Sequence, residues 1–86
     1  MFGVEYSPAA VRDLKRLDPA IRLQLLKASR VLESAPLPGG SNRIKMLVGM
    51  APPYFRLRVG DYRVIYRLEK GKVIVVRVAH RREAYR

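Results

Sequence analysis

The stretch Tyr54-Phe55-Arg56-Leu57-Arg58-Val59-Gly60-Asp61-Tyr62-Arg63-Val64-Ile65-Tyr66-Arg67-Leu68 decides the fold. From Phe55 to Val59 apolar and basic side chains alternate, the period of two that sends neighbours to opposite faces of a pleated strand. Gly60-Asp61 is a two-residue hairpin signal, and residues 62–68 make the next strand. Glu69-Lys70-Gly71-Lys72 marks a second turn, and the β-branched run 73–79 reads as a third strand. Three strands joined by two tight turns form an antiparallel meander.

Parity assigns the faces. Phe55, Leu57 and Val59 share one side, and Tyr54, Arg56 and Arg58 the other. On the next strand Val64, Tyr66 and Leu68 oppose Arg63, Ile65 and Arg67. On the last, strict alternation puts Ile74, Val76 and Val78 with the apolar side, and Val73, Val75, Arg77 and Arg81 with the basic side. The expectation is an apolar face for helices and an open face gathering Arg56, Arg58, Arg63, Arg67, Arg77 and Arg81. Val73, Val75 and Ile65 should interrupt that open face and offer part of a protein-docking surface.

Upstream, Phe2, Val4 and Tyr6 alternate as a short strand. Ser7-Pro8 is a helix cap followed by proline at the first helical position. Ala10, Val11, Leu14 and Leu17 then recur at helical spacing. Asp18-Pro19 repeats the start signal, and Ile21, Leu25, Ala28 and Leu32 line a second helix, ended by Pro36, Pro38, Gly39 and Gly40. The short break between the helices predicts an antiparallel αα-hairpin. Pro52-Pro53 excludes a strand there, while residues 44–48 leave room for a short one. The fold class is α+β: an N-terminal strand, an antiparallel αα-hairpin, then a three-stranded antiparallel meander forming one sheet with helices on one face. Residues 1–86 read as a single domain.

Composition narrows the function. With 49% hydrophobic residues the chain can build a core. It has no cysteine and one histidine, which excludes disulfide scaffolds, thiol nucleophiles and a credible zinc or two-metal centre. No apolar run reaches the roughly 18–20 residues of a membrane span, and the N-terminus lacks the pattern of a signal peptide, so the expected compartment is the cytoplasm and no membrane is expected as a partner. The net charge is +11, and thirteen of the eighteen basic residues are arginine. Residues 43–86 hold twelve basic and three acidic side chains, a net of +9. Such asymmetry points to a polyanion, either nucleic acid or an acidic protein.

The chemistry open to these residues is phosphate chemistry without a cofactor. Guanidinium groups fork onto phosphate oxygens, keep their proton, and stabilise the extra charge of a phosphorane-like transition state. In RNA the 2′-hydroxyl can serve as nucleophile, which leaves the protein to position it and to move protons. His80 and Tyr85 are the proton-transfer candidates near the arginines.

Gly60-Asp61-Tyr62-Arg63-Val64-Ile65-Tyr66, followed by Val76-Arg77-Val78-Ala79-His80-Arg81-Arg82-Glu83-Ala84-Tyr85, closely resembles the RelE branch of the RelE/ParE toxin superfamily. The likeness extends over nearly the whole chain, including Leu47-Val48-Gly49. It implies the toxin of a type II toxin–antitoxin pair, neutralised by a cognate antitoxin protein that wraps it. RelE-like members cut mRNA in the ribosomal A site without metal, so the implied partners are mRNA, the ribosome with its 16S rRNA, and the antitoxin.

Position by position, the resemblance assigns Arg63 to the catalytic arginine after the glycine turn and Arg81 to the arginine that closes the last strand and steadies phosphate charge. Tyr85 matches the C-terminal tyrosine that stacks on or orients the reacting nucleotide, although its spacing from Arg81 is shorter than in the best-known member. Arg56 and Tyr54 stand where that member has lysines. Arginine holds phosphate but is a poor general base, which passes proton transfer to Tyr85 or His80. The implied catalytic set is Arg56, Arg63, Arg81 and Tyr85. The implied substrate-binding set is Arg43, Lys45, Tyr54, Arg58, His80 and Arg82. ParE-like toxins share the fold but inhibit DNA gyrase, and a catalytically weak relative that chiefly binds its antitoxin is a further alternative. The joint presence of Arg63, Arg81 and Tyr85 favours the RelE branch.

Overall fold

In the computed structural model, which describes residues 1–39, 43–49 and 53–83, the chain runs through β1 (Gly3–Tyr6), α1 (Pro8–Lys15), α2 (Pro19–Ser29), a 3-10 turn (Arg30–Glu33), β2 (Ile44–Leu47), β3 (Tyr54–Val59), β4 (Tyr62–Glu69) and β5 (Lys72–His80). Gly40, Pro52 and Tyr85 lie outside the described residues.

Both hairpin turns form where their residues place them. Gly60 takes φ +57° at the first central position of the β3–β4 turn, the left-handed geometry a tight hairpin needs there. In the β4–β5 turn Lys70 (φ +49°) and Gly71 (φ +78°) are both left-handed, the pattern whose twist matches the flanking strands. The resulting meander is the centre of a five-stranded sheet of order β1-β5-β4-β3-β2. β1 joins one edge parallel to β5. β2, the short strand that residues 44–48 left room for, joins the other edge antiparallel to β3.

The helices start as their caps dictate. The Ser7 hydroxyl accepts from the Ala10 amide at 3.1 Å, and Pro8 and Pro19 each stand in a first helical turn. Asp18 precedes α2 but makes no side-chain cap bond. α1 packs chiefly on β5, whereas α2 lies on β3 and on the 3-10 turn. Ala10 and Leu14 of α1, Leu25 of α2 and Leu32 close one core with Phe55, Leu57, Val59, Val64, Tyr66 and Val78. Burying each of the larger aliphatic side chains stabilises by about 1.5–3 kcal/mol. Tyr66 stacks on Phe55 with ring centroids 5.6 Å apart, and its hydroxyl donates to the Pro36 carbonyl. That bond ties the segment after the 3-10 turn to the sheet.

The sheet corrects one expectation. Val73 and Val75 are fully buried in the core and neither interrupts the basic face nor offers a docking surface. The cause is a β-bulge. Ile65 pairs with Arg77 while Tyr66 pairs with Val75, so Val76 is an extra residue and the phase of β5 flips across it. Before the bulge Val73 and Val75 face the helices; after it Val78 does. Ile74 accordingly lies on the open side, opposite Arg67. Ile65 does lie on the open side, enclosed between Arg56 and Arg77. Among the described residues no helix is long and apolar enough to cross a membrane.

Candidate nucleic-acid interface

Strand register lays out the face turned away from the helices as a grid. At the β3–β4 turn end, Arg58 stands opposite Arg63, which stands opposite Ala79. The next row is Lys45, Arg56, Ile65 and Arg77, and beyond it come Leu47, Tyr54, Arg67, Ile74 and Glu5. Arg81 continues β5 by one more pairing, its amide donating to the Asp61 carbonyl at 2.7 Å. Arg81 is therefore the diagonal cross-strand neighbour of Arg63, a backbone separation of about 7–8 Å. Two long guanidinium side chains at that spacing can grip one phosphodiester.

Charge balance differs sharply across the grid. The Arg67 guanidinium donates through Nε and Nη2 to Glu69 Oε2 at 3.2 and 3.1 Å, and Lys72 is 3.0 Å from Glu5. Arg77 forks onto the Asp13 carboxylate of α1 at 2.8 and 3.1 Å. Burial alone would raise the Asp13 pKa, but the hydrogen bonds from Arg77 and from the Val78 amide outweigh it and hold the carboxyl below its ordinary value. The same hydrogen bond, with the Asp13 charge, raises the Arg77 pKa.

Among the described residues, Arg56, Arg58, Arg63 and Lys45 make no ion pair. Arg81 has only a loose one, 3.8 Å from Asp61. Arg63 and Arg56 are held by backbone instead. Arg63 Nη1 donates to the carbonyls of Gly60 and Tyr62 at 3.1 and 3.0 Å. Arg56 Nη1 donates to the Arg43 carbonyl at 3.1 Å, and that carbonyl also accepts from the Arg58 amide at 2.7 Å. Carbonyl partners orient a guanidinium without cancelling its charge, so the positive field at this end is preserved. Ala79, the small residue opposite Arg63, leaves room between Arg63 and Arg81.

The remaining candidates fall into three groups. Lys45, Tyr54 and Arg58 share the open face with Arg56 and Arg63. Arg43 flanks it at the start of β2, its Nε 3.5 Å from the Arg58 carbonyl. His80 has the parity of Val78, toward the helix side; its ring meets Tyr62 edge-on at 5.5 Å, and its Nδ1 accepts from the Arg82 amide at 3.3 Å. Arg82 is exposed just beyond. Asp13, Asp61 and Glu69 decide which of these charges remain free. Glu69 and Asp61 carry a local signal, sharing the parity of Arg67 and of Arg63 two residues away; Asp13 carries none.

The family described as ParE toxin of type II toxin-antitoxin system, parDE, matches residues 4–85. The fold is similar to an archaeal RelE–RelB complex from Pyrococcus horikoshii OT3 (27% identity, TM-score 0.76, covering 96% of this chain and 98% of that one). It is similar too to the RelBE2 toxin–antitoxin complex of Mycobacterium tuberculosis (29% identity, TM-score 0.79, 92% and 96%). A third likeness, to the isolated RelE toxin of E. coli (23% identity, TM-score 0.74, 93% and 84%), concerns the fold alone. A comparison with curated proteins finds no match.

Proposed function

We infer an activity from one premise: the chain belongs to the ParE toxin family of type II toxin–antitoxin systems, with the fold of the RelE/ParE-type toxins. The activity we propose is ribosome-dependent, metal-independent cleavage of mRNA, and the partner a cognate antitoxin. The observation that carries this reading is the turn end of the open face, where register sets Arg58 opposite Arg63 and Arg81 diagonal to it, Arg58 and Arg63 without an ion pair among the described residues and Arg81 with one loose contact at 3.8 Å.

In the proposed reaction the 2′-hydroxyl of a nucleotide held in the ribosomal A site attacks the adjacent phosphorus. The bond to the 5′-oxygen breaks, leaving a 2′,3′-cyclic phosphate and a free 5′-hydroxyl. Arg63 and Arg81 stabilise the added negative charge at phosphorus, where preorganised donors act most strongly. Arg56 holds the same phosphate from the neighbouring row. Arg43, Lys45, Arg58 and Arg82 contact the backbone of mRNA or of 16S rRNA and set affinity and its salt dependence. Tyr54 offers a ring for a base. Proton transfer falls to Tyr85, beside the stacking role its family match implies, because the His80 ring packs against Tyr62 on the helix side of the sheet. The antitoxin is proposed to cover exposed apolar side chains, Leu23, Leu26, Val31, Leu37, Met46 and Val48. Val31 and Leu37 line a groove of about 240 Å³ beside Ile44.

The test is cleavage on programmed ribosomes in EDTA. The protein should leave 2′,3′-cyclic or 3′-phosphate ends, and Arg81→Ala should lower single-turnover cleavage by about 100-fold, the scale of one lost transition-state contact. The family's ParE description favours one second reading, inhibition of DNA gyrase. Intact mRNA together with blocked supercoiling would establish that reading in place of the first.

A further inference from the structure

β1 pairs with β5 only as far as Val75. From Val76 onward β5 is an edge, and an edge leaves donors and acceptors without partners. Ser7, the cap of α1, and Asp13 within α1 supply them at the point where the bulge occurs. The Ser7 amide donates to the Val75 carbonyl and the Ser7 hydroxyl to the Val76 carbonyl, both at 2.9 Å. Further along α1, Asp13 Oδ2 accepts from the Val78 amide at 2.9 Å while both carboxylate oxygens hold Arg77. The Asp13 side chain is 10% exposed. Four consecutive residues, 75 to 78, are thus gripped from residues more than 60 positions earlier.

The phase of everything downstream depends on this grip. With Val73 and Val75 in the core, an unbulged β5 would turn Arg77, Ala79 and Arg81 toward the helices. The extra residue at Val76 turns them to the open face instead, where Arg81 becomes the diagonal neighbour of Arg63. Bulges are common at sheet edges, where they re-aim side chains, and here the bonds from Ser7 and Asp13 bracket the bulge on both sides. We propose that Asp13, with Ser7, is a positioning residue for the arginine face: by clamping the bulge at Val76 it sets the phase that delivers Arg81 to the site. Neither residue needs to touch the substrate.

The inference rests on the nuclease reading only for its kinetic arm, and amide hydrogen exchange tests it without any activity. Asp13→Ala should speed exchange of the Val78 amide and also of the Arg81 amide, each by about tenfold or more, as a local opening that spreads along the strand end. Asp13→Asn keeps an acceptor for the Val78 amide and should bring the Arg81 amide back to within about threefold of wild type. An Arg81 amide that is unmoved in Asp13→Ala while Val78 exchanges faster overturns the proposal. Should Asp13→Ala fail to fold, Ser7→Ala, which removes the link to Val76 and one cap bond, carries the same expectation and the same contrary result.

In single-turnover cleavage, Asp13→Ala should cost about tenfold in the wild-type background and under about twofold in the Arg81→Ala background, with ribosome affinity unchanged. Equal losses in the two backgrounds would mean that Asp13 acts on general stability, and the proposal would fall. If the wild-type protein cleaves nothing, the nuclease reading fails and the exchange measurement still decides the clamp.

Discussion

The two ends of the open sheet face carry similar residues and opposite charge balance. At the β4–β5 turn end, Arg67 is bound to Glu69 and Lys72 to Glu5. At the β3–β4 turn end, Arg58 and Arg63 have only backbone partners or none, and Arg81 stands 3.8 Å from its nearest carboxylate. The surplus of basic residues in the second half of the chain is therefore not spread evenly over the surface. A basic count points to a polyanion; under the proposed function, the position of the few acids selects the turn end to receive it.

That contrast can be broken outright. Ala79→Glu would place a carboxylate between Arg63 and Arg81 and give the turn end the character of the far end. Cleavage on ribosomes should fall by about 100-fold or more, because the guanidinium groups would be occupied before substrate arrives. Circular dichroism should remain that of the native fold, since position 79 is not part of the core.

The Asp13–Arg77 link at the side of the grid gives the next largest effect, on stability. Asp13→Ala should cost about 2 kcal/mol in urea unfolding at neutral pH, the scale of losing hydrogen bonds to a charged group. The pH dependence has a definite sign. Asp13 is held below its ordinary pKa in the folded chain, so its contribution is complete above the unfolded value of about 3.9 and disappears as pH falls through the lower folded value. Asp13→Asn should flatten that acid limb, and unfolding midpoints measured from neutral pH downward would check it.

A smaller effect is expected at the charge-balanced end. Lys70 adopts φ +49°, a conformation that costs a side-chain-bearing residue about 1 kcal/mol. Lys70→Asn supplies the residue this hairpin turn prefers before glycine. Thermal unfolding should show a gain of up to about 1 kcal/mol, with cleavage unchanged because the substitution lies at the far turn. The smallest effect sharpens the contrast instead. Glu69→Gln frees Arg67, and the slope of log affinity for single-stranded RNA against log salt should steepen by about 0.7, one further phosphate contact.

Much of this architecture is legible in the sequence because it is local. Alternation along 54–59, the residues of the two hairpin turns, and Ser7-Pro8 before a helical period each settle a few neighbouring backbone angles, and the sheet assembles from them. The phase of β5 is not legible. A bulge leaves no mark in a run of valines and isoleucine, where either face is apolar, and only contact with the core reveals that Val73 and Val75 point inward. The arginines of the site follow from parity on β3 and β4, which have no bulge between them. The carboxylates that silence some of those arginines do not follow. Asp13 and Arg77 are 64 residues apart, and nothing in the helical pattern of α1 distinguishes Asp13 from an ordinary solvent-facing acid. Tyr85 rests on resemblance alone, outside the described residues.

One paired measurement bears most directly on the central claim: single-turnover mRNA cleavage on programmed ribosomes by Arg63→Ala and by Arg67→Ala, two neighbours on the same face of the same strand. If the uncancelled end grips the scissile phosphate, Arg63→Ala loses about 100-fold and Arg67→Ala stays within about fivefold of wild type. Equal losses from both substitutions, or a larger loss at Arg67, would contradict the account.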